Sequence, residues 1–151
     1  MIDELNKHLP MELSAHLRYS GQAQMLRFHG YNKLADKYTE EAEEELGHAH
    51  KLIYRIQQLD GAPNYLPELV SDPIKKCDVP AMLAADLEVE QSVLDSLNAL
   101  NTLAEGKAAD WETSNVLRGL ITDTEDHVTW LNTQLELIAE LGKANYLQAQ
   151  L

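Results

Sequence analysis

The chain has 151 residues, with 12 Lys and Arg against 25 Asp and Glu, and a formal charge of −13. So acidic a protein repels nucleic acid and anionic membranes and attracts metal cations and basic partners, which argues against nucleic-acid binding and membrane association. The length suits one domain with a sizeable core. A single cysteine, Cys77, excludes a disulfide framework within the chain and any four-cysteine metal site, and fits a reducing compartment. The N-terminal stretch lacks a basic region followed by an apolar run, and no apolar stretch reaches the roughly 20 residues that span a bilayer. A cytoplasmic protein is expected.

Four long segments, free of glycine and proline punctuation apart from Pro10 and isolated glycines, predict four amphipathic helices and no strand. The first, about 3–29, carries Ile2, Leu5, Leu9, Tyr19, Ala23 and Leu26 at steps of three and four, with Glu12 and His16 on the same seam; Pro10 should bend it or mark a restarted first turn. The second, about 32–59, has Leu34, Tyr38, Glu41, Glu45, His48, Leu52 and Leu59 on its seam. The third, about 81–104, has Leu83, Leu87, Glu90, Leu94 and Leu97. The fourth, about 110–141, has Leu117, Leu120, Thr124, His127, Leu131, Ile138 and Leu141. After Gly142 there is room for a short fifth helix, 144–150.

The connections set the topology. Short links at Tyr31 and around Gly106 make helices one and two, and helices three and four, antiparallel neighbours. The stretch from Gly61 to Pro80 is too long for a hairpin and reaches roughly 60 Å at ~3.3 Å per residue. A helix of this length spans only about 40 Å at 1.5 Å per residue, so the link can cross the whole bundle. The expectation is an all-α, single-domain four-helix bundle, 1–151, with one long crossover.

Each helix carries polar groups in its apolar seam: Glu12 on the first, Glu45 and His48 on the second, Glu90 on the third, His127 on the fourth. These should meet at one level. Buried carboxylates without partners are so costly that they take up protons or bind metal. Glu45-x-x-His48 sets a carboxylate and an imidazole one turn apart on one face, suited to a shared ion. Oxygen ligands with imidazole favour iron, manganese or zinc. A di-iron bundle draws a lone Glu from each of two helices and Glu-x-x-His from each of the other two. Here Thr124 stands where the second such Glu belongs. Asp123, His16, Glu125 or a water held by Thr124 are the substitutes, with Glu125 rotated by about 100° from the seam.

These residues, together with LPMELSAHLRYS, EEAEEELGHAHKLIYRI, DLEVEQ, DTEDHVTWLNTQLELI and the terminal NYLQAQ, resemble bacterioferritin over essentially the whole length, and so a ferritin-like fold. The resemblance implies that Glu12 and Glu90 are terminal carboxylate ligands, Glu45 a bridging one, and His48 and His127 the imidazole ligands. It makes Tyr19 a tyrosine involved in electron transfer. It also implies a hollow shell of 24 subunits that oxidises Fe²⁺ with O₂ or peroxide inside each subunit and stores ferric mineral. Two departures stand out. Thr124 replaces the family's other bridging carboxylate, and Leu46 replaces the methionine that ligates haem between subunits, so no haem is expected by that route.

Taken singly, these residues have plainer readings. His16 reads as a hydrogen-bonded core histidine, His8 and His50 as surface residues, and Cys77 as incidental. Glu40 to Glu45 would ordinarily be a solvated face, although Glu41 and Glu44 suit an access path for Fe²⁺. Two functions compete: a ferroxidase and iron store, or a catalytically impaired structural subunit that co-assembles with a complete paralogue. Thr124 favours the second. A rubrerythrin-like peroxidase is weakened by the lone cysteine, and a DNA-protecting mini-ferritin by ligands lying inside one bundle.

Overall fold

The computed structural model describes residues 1–67 and 76–151. Five helices follow in order: α1 (Ile2–Phe28), α2 (Asn32–Gln58), α3 (Val79–Glu105), α4 (Trp111–Leu141) and α5 (Lys143–Gln148). Among the described residues there is no strand. α1 runs uninterrupted through Pro10, which is buried. Pro80, expected as linker, instead lies in the first turn of α3, where a proline's missing N–H removes nothing the helix would use. Asp110 caps α4 by accepting the Thr113 N–H at 3.1 Å, and Arg55 from α2 clamps the same carboxylate at 2.8 Å.

Side-chain pairs across the bundle fix the helix directions. Residues 29–31 turn α1 back onto α2. Between α1 and α3, His8 meets Ser96, Tyr19 meets Glu90 and Arg18 meets Asp86, so numbers rise on one helix as they fall on the other. Between α2 and α4, Arg55 meets Asp110, His48 meets Asp123 and Glu41 meets His127, again in opposite sense. α2 and α3 therefore run parallel, so the end of α2 and the start of α3 lie at opposite ends of the bundle. The described ends of that connection agree with a long crossover; its middle, including Pro73, lies outside the described residues.

The apolar core is divided. One cluster contains Tyr19, Leu26, Tyr38, Leu83, Leu131 and Tyr146; the other contains Leu5, Leu9, Leu52, Leu97, Leu117 and Leu120. Between them lies a belt of buried polar side chains from all four long helices. α5 closes the end of the first cluster: Tyr146 is buried and its hydroxyl donates to Gln134 at 2.8 Å, and the Lys33 N–H bonds the Gln150 carbonyl at 3.1 Å.

Candidate metal centre

The four-helix register brings Glu12, Glu45, His48, Glu90 and His127 to one level, all buried. Two wholly buried ligand-bearing groups form, Glu12 with Glu45 and His48, and Glu45 with Glu90 and His127, and Glu45 belongs to both. His48 Nδ1 lies 3.6 Å from Glu12 Oε2 and 3.4 Å from Glu45 Oε2; His127 Nδ1 lies 3.4 Å from Glu90 Oε1. Neighbouring ligands about 2.1 Å from one ion stand about 3 Å apart, so these spacings are close to those of a coordination sphere.

Hydrogen bonding makes the point sharper. Glu12 Oε2, Glu45 Oε2, Glu90 Oε2, His48 Nδ1 and His127 Nδ1 are all buried with no hydrogen-bond partner. Buried polar atoms are nearly always satisfied, so five converging orphans call for a cation or protons. The electrostatics of the belt favour protons in that role where no metal is bound. Burial lifts the Glu45 carboxyl well above the ordinary range, the His48 contact opposes this, and the nearby Glu12 charge reinforces it. Burial would lower His48, but Glu12 and Glu45 outweigh it and push it up to about 11. His127 is likewise raised, by Glu90 and Glu41 against burial. For Glu12 burial disfavours the charge, yet the nearby His48 ring and the His8 hydrogen bond hold it well below the usual carboxylate range.

Supporting side chains surround the belt. Asp123 accepts from His48 Nε2 at 3.1 Å, on the outer edge of the ring, opposite the atom that faces the site. A carboxylate in that position orients a ligating histidine. Tyr19 is fully buried, donates a short hydrogen bond to Glu90, and meets His127 edge-on with ring centroids 5.3 Å apart. Burial and the Glu90 charge keep its phenol protonated, with its pKa raised well above 10. Thr124 is buried, and its hydroxyl is committed to the Leu120 carbonyl at 2.8 Å. His16 is half-buried and donates from Nδ1 to the Ala42 carbonyl at 2.6 Å, outside both groups. Glu125 faces solvent, as does His50.

Sequence reasoning placed His8 at the surface, but it is 1% exposed. Its ring spans Glu12 Oε1 and Ser96 Oγ, each at 2.7 Å. The signal available was its spacing, four residues before Glu12. A second buried carboxylate also escaped notice: Asp86, one turn before Glu90, accepts from Arg18 at 2.7 Å, Gln22 at 2.9 Å and Tyr38 at 2.7 Å. In the acidic run, Glu41 and Glu45 are buried while Glu40, Glu43 and Glu44 are exposed, as helical periodicity requires.

A bundle with one crossover and a carboxylate–histidine belt at mid-height is the architecture of the ferritin-like class. The ferritin-like domain family matches residues 2–141, and the chain belongs to that family. It is 39% identical over 152 aligned residues to a bacterial ferritin of Pseudomonas aeruginosa, covering 100% of this chain and 96% of the relative. It is 38% identical to a bacterioferritin of Streptomyces coelicolor, covering 97% and 86%. It is 35% identical to a bacterioferritin of Brucella melitensis, covering 98% and 90%.

Proposed function

We propose that the chain is an iron-storage and detoxification protein that oxidises Fe²⁺ at the belt and delivers Fe³⁺ to the interior of a hollow homo-oligomeric shell of 24 subunits in the cytoplasm. The observation that carries the reading is the set of buried, unpartnered Glu and His atoms facing one another across all four helices. Glu12, Glu45 and His48 would hold one ion, and Glu45, Glu90 and His127 the other, with Glu45 shared. Two Fe²⁺ give up two electrons together; with two protons these convert O₂ to hydrogen peroxide, or hydrogen peroxide to two waters. The redox chemistry belongs to the iron, while the chain sets ligand geometry and excludes water.

The residues around the ions have separate tasks. Asp123 orients His48, His8 orients Glu12, and the Tyr19 hydroxyl orients Glu90 and is placed to pass an electron to the site. Leu46 supplies no haem ligand, so storage and release proceed without haem at that position. The exposed carboxylate of Glu44, grouped with His48 and Asp123, suits transfer of Fe²⁺ at the edge of the site.

The second reading is a structural subunit that co-assembles with a complete paralogue, and the observation favouring it is Thr124, whose hydroxyl is already used within α4. Aerobic Fe²⁺ oxidation, at up to two ions per chain, separates the two when the homopolymer is run beside Thr124→Glu. Rapid oxidation by the unmodified protein supports a ferroxidase in its own right. A rate no faster than protein-free buffer, restored by Thr124→Glu, supports the structural subunit.

A further inference from the structure

We infer that Glu41 supplies the carboxylate ligand that Thr124 does not, completing the second divalent-cation position from α2 instead of α4. The inference rests on the reading of the belt as a two-ion site. A complete site of this type has four carboxylates and two imidazoles, enough to neutralise two divalent ions. Glu12, Glu45 and Glu90 supply three. Glu41 is one helical turn before Glu45 and is 3% exposed. Its Oε2 is buried without a hydrogen-bond partner and lies 3.2 Å from His127 Nδ1, itself an orphan. Among the described residues, seven buried side-chain atoms lack partners; besides the five belt atoms and Gln22 Oε1, the remaining one is Glu41 Oε2.

The carboxylate is also tethered through its other oxygen. Lys37 pairs with Glu41 Oε1 from the half-exposed side, with its ammonium 5.4 Å from the Trp130 ring centre. That leaves Oε2 facing inward. None of the charged or imidazole substitutes read from the sequence competes for the position: Asp123 bonds the outer nitrogen of His48, His16 bonds Ala42 and Glu125 is exposed, while Thr124 donates to Leu120 and offers only a neutral oxygen. Glu41 and Glu90 flank His127 Nδ1 at 3.2 and 3.4 Å; Glu41 stands outside the Glu45–Glu90–His127 group, so it becomes a ligand by turning its carboxylate towards an ion bound there.

Co²⁺ titration of the metal-free, assembled protein tests this, with bound metal counted by equilibrium dialysis and its geometry followed by visible absorption. The unmodified protein should bind two Co²⁺ per chain. Glu41→Gln, nearly isosteric, should keep the first and weaken the second by about tenfold or more, since even outer partners of a ligand are worth about 10–100-fold. Adding Thr124→Glu to Glu41→Gln should restore the second ion. Two unaltered binding steps in Glu41→Gln would overturn the assignment, as would a single Co²⁺ in the unmodified protein rising to two in Thr124→Glu alone. Glu45→Gln separates this from failure of the underlying reading. If it loses both ions while Glu41→Gln loses neither, only the Glu41 assignment falls; if it too binds like the unmodified protein, the two-ion site falls and Glu41 with it.

Discussion

Replacing His8 by leucine isolates the support beneath Glu12. His8 is buried, and an ionised carboxylate can only accept, so Nε2–H donates to Glu12 Oε1 at 2.7 Å, while Nδ1 lies 2.7 Å from Ser96 Oγ. A hydrogen bond to a charged group contributes about 1.5–3 kcal/mol. Ser96 is half-buried and can turn to water, so its loss adds little. Leucine returns roughly 1 kcal/mol through extra apolar burial. The metal-free variant should therefore be about 0.5–2 kcal/mol less stable, lowering its melting temperature by roughly 1–8 °C for a chain of this size. His8→Gln, which keeps an amide donor near Glu12, should recover part of the loss. The assay is thermal unfolding of chelator-treated proteins at equal protomer concentration, because assembly itself raises apparent stability. A His8→Leu protein melting with or above the unmodified one would refute the claim that His8 holds an ionised Glu12.

Asp86→Ala removes the acceptor shared by Arg18, Gln22 and Tyr38 deep in the first core cluster, and urea denaturation should show a loss of about 3–5 kcal/mol. Gly61→Ala would set a Cβ 2.7 Å from an Ile2 methyl and 2.9 Å from an Ile56 methyl; overpacking of about 1–3 kcal/mol should appear as a lowered melting temperature. Asp110→Ala removes the α4 cap and its Arg55 clamp, costing about 1–2 kcal/mol at neutral pH. Burial opposes the Asp110 charge, but Thr113 and Arg55 prevail and depress its pKa below 3.8. The carboxylate's contribution is thus complete above pH 3.8 and lost as pH falls through the folded value. The gap between Asp110→Ala and the unmodified protein, followed in urea from pH 7 to pH 3, should narrow only at the acid end.

The helices and the level of the belt were legible because both depend on spacing along one helix. Steps of three and four marked the seams, and polar residues interrupting them at Glu12, Glu45, His48, Glu90 and His127 stood out against leucine. What escaped was set by contacts between helices. His8 lies beside the expected seam of α1, and only the approach of Ser96 from α3 turns that position inward. Asp86 is stabilised by donors about 50 to 70 residues distant in the chain, which no local pattern predicts. Glu41 was on the seam, yet its neighbours in the acidic run suggested solvent. Its ion pair with Lys37 one turn earlier is local, whereas its approach to His127 comes from helix register.

The belt also explains why the core is split. Four long helices with continuous leucine seams would bury more apolar area and would be more stable without metal. This chain instead places buried carboxylates and imidazoles between two apolar clusters, leaving donors and acceptors unmatched at mid-height. Unsatisfied buried polar groups cost about 1–3 kcal/mol each, so the clusters on either side, with the Asp86 network and the α5 cap, must hold the helices in register against that strain. Local rules broken at one level and obeyed above and below it mark a candidate functional site.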